Sequence, residues 1–174
     1  MKKDILFGFY TVLALLAVSC TTAEKPGVFP DTRPALLRQL DGSWKMQGSI
    51  MGDSIEYSLE VKPVLHSTFS ELHMKDISVP SEYEARVFIG TDSTGKKVIA
   101  HWMDSFGAMY SVPHGTGVIE GNLIDIVFPY TESRFHDQFS FNESTQNWRL
   151  LIRSEKDSLL FETFADYTIS RSSK

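Results

Sequence analysis

From Ser43 onward, apolar and polar residues alternate with a period of two, the pattern of strands that bury one face. Trp44, Met46, Gly48 and Ile50 alternate with Ser43, Lys45, Gln47 and Ser49. Beyond Gly52-Asp53, Ile55, Tyr57, Leu59 and Val61 alternate with Glu56, Ser58, Glu60 and Lys62, so two strands joined by a tight turn are predicted. A third strand is expected from His66 to Ile77, and a fourth carries Tyr83, Ala85, Val87 and Ile89 on its apolar face. The turn Asp92-Ser93-Thr94-Gly95 leads into a fifth, Lys97 to Asp104. Val112 to Glu120 and Leu123 to Tyr130 pair across Gly121-Asn122, and Phe135, Asp137, Phe139 and Phe141 share one face of the eighth strand. Trp148 to Ser154 forms a ninth after Ser144-Thr145-Gln146, and Leu159 to Ile169 a tenth after Glu155-Lys156-Asp157.

About ten short strands, with turn signals roughly every ten to fifteen residues, predict an all-β fold built as an antiparallel meander. Curling it into an up-and-down barrel removes the exposed edges that an open sheet presents. Ahead of the strands the period is helical: Leu36, Leu37 and Leu40 fall on one face, Pro34 suits a first turn, and Gly42 suits a stop. Asp31 or Thr32 is expected to cap this short helix, which is expected to lie over one end of the barrel.

The first 33 residues follow neither period. Lys2 and Lys3 precede a largely apolar run from Ile5 to Val18, shorter than the roughly 20 residues of a bilayer-spanning helix. Residues 1–19 therefore read as an export signal. Leu16-Ala17-Val18-Ser19-Cys20 resembles a bacterial lipobox, which makes Cys20 the expected lipidation site and the anchor to a membrane. It is also the single cysteine, so the mature chain has no disulfide. Residues 20–33, with Pro26, Gly27 and Pro30, read as a tether, and 34–174 as one domain. An Asp after the lipidated Cys resembles an inner-membrane retention signal. Thr21 stands there instead, which points to the outer membrane, facing the periplasm or the cell surface.

Composition removes some functions. The formal net charge of −5 moves to about −6 without Lys2, Lys3 and Asp4, and no Lys/Arg cluster offers a face for phosphates, so nucleic acid is not an expected partner. Gly52-Asp53-Ser54-Ile55 is similar to an esterase nucleophile block, but that family's Asp-x-x-His block is missing and a turn accounts for these residues. Gly90 to Lys96 has phosphate-loop spacing, yet Lys97 stands where Ser or Thr holds magnesium, and the segment lies in a hairpin. His66, His73, His101, His114 and His136 lack the close spacing of a metal motif, so no metal ligands are assigned.

Over residues 36–171, the short helix, Gly42-x-Trp44, His101-Trp102-Met103-Asp104-Ser105 and the stretch Gly115 to Gly121 resemble a bacterial lipocalin-like, calycin-type β-barrel family of unassigned function. In such barrels the Trp packs across the closed end and the cavity takes up a small apolar molecule. The resemblance therefore implies a cargo-holding barrel, with Arg171, Arg153 or Arg149 as the cation packed on Trp44. Asp166-Tyr167 is similar to part of the lipocalin Thr-Asp-Tyr block, with Ala165 in place of Thr and a position in the last strand. Nitrobindin, a more distantly similar barrel, holds haem through a His near the end of its chain. The last strand here contains no His, and no cofactor is expected.

Ligand contacts are expected from Trp44, Tyr57, Trp102 and Trp148, which lie on the faces that carry aliphatics, and from Asp104 and Asp137, which share faces with aromatics. The same aromatics also suit a solid core. Three functions follow: a small hydrophobic or amphiphilic molecule bound inside, a partner recruited through an exposed apolar patch, or acid–base chemistry by Asp137, His101 or His114.

Overall fold

The computed structural model describes residues 29–157 and 160–172. The expected export signal, Cys20 and most of the tether lie outside the described residues. Helix α1 (Ala35–Gln39) precedes β1 (Gly42–Ile50), β2 (Asp53–Val64), β3 (Phe69–Asp76), β4 (Glu84–Thr91), β5 (Lys97–Asp104), β6 (Gly115–Glu120), β7 (Leu123–Pro129), β8 (Arg134–Asn142), β9 (Asn147–Asp157) and β10 (Leu160–Arg171). Each strand pairs antiparallel with its sequence neighbour, and β1 closes on β10 from Trp44 opposite Arg171 to Ile50 opposite Ala165. The all-β, ten-stranded up-and-down barrel is thus the observed architecture.

The period of two decides which residues face inward. Met46, Tyr57, Leu59, Val61, Leu72, Val87, Ile126, Phe139, Leu150 and Tyr167 are buried, while the sequence neighbours Lys45, Lys62 and Arg149 face out. Three expected boundaries shift. The third strand begins at Phe69, because Leu65, His66 and Ser67 take left-handed backbone conformations and make the β2–β3 turn. The sixth begins at Gly115, since residues 105–114 form a long connection containing a 3-10 turn, Ala108–Tyr110. The ninth runs through the expected Glu155-Lys156-Asp157 turn to Asp157.

Strand direction sorts the loops into two poles. The α1 pole holds α1 and the β2–β3, β4–β5, β6–β7 and β8–β9 turns, and the other pole holds the remaining connections. The α1 pole is sealed. A five-residue helix is too short to hold itself, but Leu36, Leu37 and Leu40 are buried, each contributing about 1.5–3 kcal/mol, and this docks α1 on the barrel end. The expected cap is not formed: Pro34 occupies the N-cap position without a side-chain hydrogen bond, and Asp31 turns to Arg33 instead. Arg33 is 2% exposed and bridges Asp31 and Asp41 at 2.6 and 2.7 Å, with a further hydrogen bond to Ser70. Arg33 is therefore fixed against the barrel, with Asp31 held to it by the ion pair.

Candidate functional site

The Gly-x-Trp corner builds the seal. Trp44 is buried, its indole N–H donates to the Leu40 carbonyl at 2.6 Å, and the Arg171 guanidinium lies 3.6 Å from its ring centroid while donating to the Asp41 carbonyl. Of the three candidate cations, Arg171 is the one on Trp44. Trp148 packs in the same pole, 5.0 Å from the Phe141 ring, with its indole N–H lacking an acceptor among the described residues. A cleft of about 370 Å³ at this pole, lined by Gln39, Trp44, Phe141, Glu143, Gln146 and Arg171, touches these rings from outside.

The other four expected residues meet in the opposite half of the barrel. There β2 supplies Tyr57, β5 supplies Trp102 and Asp104, and β8 supplies Asp137, all on inward register positions. Three tyrosines join them. Tyr57 lies 5.4 Å from Tyr83 and 5.9 Å from Tyr167 by ring centroid, and Tyr83 continues to Phe106 at 5.6 Å. A second chain of rings runs Trp102, Phe128, Tyr130, Phe135 and Phe164, each 5.3 to 6.4 Å from the next. Phe164 reaches it because a register shift between Thr163 and Ala165 inserts an extra residue into β10. Most of the partly buried inward residues, Ile50, Ile55, Tyr83, Trp102, Tyr130, Phe135 and Phe164, lie in this half, against Ile119 and Phe141 at the α1 pole. This end is therefore the less tightly covered one, the mouth of the barrel, while Tyr57, Asp137 and Tyr167 lie buried below it.

Loops around the mouth carry large apolar side chains into solvent, among them Met51, Ile77, Val79, Phe106, Met109 and Val112. Val79 is 98% exposed. Soluble surfaces scatter such residues singly, but here they recur in successive connections at one pole.

Asp137 is the outlier in this lining. It is 4% exposed, and among the described residues it has no hydrogen-bond or ion-pair partner. Burial, reinforced by the charge of Asp125 on β7, pushes its carboxyl up to about 8. Asp104 is also raised by burial, but less deeply buried, and it accepts the Phe106 backbone N–H at 3.0 Å. The tyrosines sense both carboxyls. Burial, then the charges of Asp137 and Asp104, pushes Tyr130 up to about 12. Tyr83 and Tyr167 are raised first by burial, with Asp137 adding to both, so all four tyrosine hydroxyls stay protonated donors at neutral pH.

The histidines are elsewhere. His66 stacks on Phe29, His73 pairs with Glu84 and His136 with Glu155, and exposed His101 and His114 face each other at 5.7 Å. None joins Asp137 inside the barrel, and no group of three His, Cys, Asp or Glu that could hold a metal ion occurs among the described residues. The near-miss motifs are turns: Met51 and Gly52 take positive φ between β1 and β2, and Gly95 closes the Asp92 turn. Sequence reasoning had not gathered Tyr83, Tyr130 and Tyr167 into the site. Their signal was positional, since each shares parity with buried neighbours such as Ala85, Phe128 and Ile169.

Comparison with known proteins adds the fold alone. No family model and no curated protein matches the chain. The crystal structure of Rv2717c from M. tuberculosis is similar, with a TM-score of 0.57 and 11% identity, covering 81% of this chain and 99% of that one.

Proposed function

We propose that this chain is an exported, lipid-anchored, lipocalin-like barrel that takes up one small hydrophobic or amphiphilic molecule through its mouth. The observation that carries the reading is the aromatic, partly exposed lining of the mouth half, set against an opposite pole that α1 and Trp44 cover. Aromatic walls with a few fixed polar groups suit a ligand with an apolar body and one polar end. The lipobox-like Leu16 to Cys20 supports attachment to the cell envelope. Native mass spectrometry and solvent extraction of the purified protein test the binding role. Co-purified amphiphile or saturable uptake of alkyl probes is expected, and a barrel that binds none of a panel of alkyl alcohols, amines and acids removes it.

The apolar rim favours a second reading, in which the mouth loops hold a protein partner. Replacing Ile77, Val79 and Met109 by Ser separates the two. Cargo uptake survives these substitutions if the interior binds, and partner capture is lost if the rim does.

A further inference from the structure

We infer that the molecule held in the mouth half is a protonated amphiphilic amine, its ammonium group on the Asp137 carboxylate and its apolar body among Tyr57, Tyr83, Trp102, Tyr130 and Tyr167. This rests on the barrel being a carrier, and adds the sign of its cargo's charge.

Three observations converge on a cation. First, the inward positions around Asp137 offer a second carboxyl, Asp104, and no described cation. Among the residues whose side chains are described, the Lys, Arg and His of the strands take outward register positions, apart from Arg171 at the sealed pole. Second, Asp137 is buried and without a protein partner, so an incoming donor meets an acceptor that does not first have to give up another bond. Third, the walls are aromatic. Tyrosine and tryptophan faces carry negative potential and attract ammonium groups within about 6 Å, whereas a carboxylate or phosphate finds no cation to pair with among the described inward residues of this half. Each tyrosine hydroxyl, including those of Tyr57 and Tyr167 that bond each other, has two acceptor lone pairs for N–H bonds.

Proton balance supplies a signature. At pH 7 the Asp137 carboxyl keeps its proton before binding. Pairing with an ammonium requires the carboxylate, so the proton passes to solvent as the bond forms, and one positive charge replaces another. Tyr83 ahead of β4, Tyr130 after β7, Tyr167 from β10 and Asp125 on β7 lie in electrostatic range of Asp137, Tyr57 from β2 touches Tyr83 and Tyr167, and Asp104 from β5 acts on Tyr83 and Tyr130. The tyrosines stay neutral up to pH 8, and Asp104 and Asp125 add negative charge. Each unit of pH below 8 therefore costs about tenfold in apparent affinity for an amine.

Isothermal titration calorimetry with dodecylammonium, dodecanol and dodecanoate tests this on the purified chain. Dodecylammonium is expected to bind at least tenfold tighter than dodecanol at pH 8, with that preference shrinking towards pH 6, and dodecanoate to bind weakest. At pH 7, titrations in buffers of different ionisation enthalpy are expected to report release of close to one proton. In Asp137→Asn the ratio of ammonium to alcohol affinity is expected to fall towards one and the proton release to vanish. Should that variant fail to fold, proton release by the unaltered protein decides alone. Equal binding of amine and alcohol, preference for dodecanoate, or amine binding without proton release overturns the amine while leaving the carrier intact. Failure of all three probes removes the carrier itself.

Discussion

At the scale of single residues, Asp137 ties stability to pH with an unusual sign. A carboxyl raised from 3.8 to about 8 binds its proton more tightly when folded than when unfolded. Its contribution is fully present below about pH 4 and is lost as pH rises to about 8. Carboxyls held low do the reverse. Asp31 beside Arg33 and Asp166 beside Arg149 add stability at neutral pH that disappears as pH falls through their depressed values, below about 4. Asp137→Asn is therefore expected to gain about 2–5 kcal/mol relative to the unaltered protein between pH 4 and pH 8, read by urea unfolding at both. An unchanged difference across that window sinks the assignment. Arg33 works in the opposite direction. Its guanidinium is buried between two carboxylates that are each about a third exposed. Arg33→Met is expected to cost about 2–3 kcal/mol at pH 7, less than a fully buried pair because water rescues part of each Asp.

At the scale of strands, closure depends on places where side chains are missing. A methyl added to Gly48 would stand 1.9 Å from the Asp166 carbonyl oxygen, and one on Gly117 the same distance from that of Asp125. These inward glycines let β1 approach β10 and β6 approach β7 more closely than a β-carbon allows, so the sheet coils tightly there. Gly48→Ala and Gly117→Ala are each expected to lower stability by about 1–3 kcal/mol, with a loss of unfolding midpoint in circular dichroism as the check. Strands, faces and most turns were legible from the sequence, because alternation reports burial directly and turn residues need particular backbone angles. A connection from Ser105 to Tyr110 was legible, but its extension to residue 114 and the shift in β10 were not, since neither changes local periodicity. The site was half legible. Tyr57, Trp102, Asp104 and Asp137 follow from polar or aromatic residues on apolar faces. Their meeting with Tyr83, Tyr130 and Tyr167 depends on register between strands far apart in sequence, as does the separation of Trp44 and Trp148 to the other pole.

At the scale of the whole molecule, the barrel is asymmetric along its axis: covered by α1 at one pole, aromatic, acidic and more exposed at the other. A ligand held only by the folded mouth half raises stability by mass action. Dodecylammonium at about 100 times its dissociation constant is expected to add about 2.7 kcal/mol, or roughly 5–10 °C in the melting midpoint. Dodecanoate at the same concentration is expected to leave the midpoint within about 1 °C. An equal rise with both compounds points to general detergent-like adsorption on the apolar rim instead.

The route of the backbone through the sealed pole has a practical consequence. Phe29 lies against the β2–β3 turn, and Arg171 reaches back to the Asp41 carbonyl, so the chain enters and leaves the barrel at its base. Held by its N-terminal side, the molecule stands like a cup on its foot, with the opening turned outward from whatever it stands on. Grafting the protein to a bead through that side should leave uptake undiminished, while grafting through the 105–114 connection should block it.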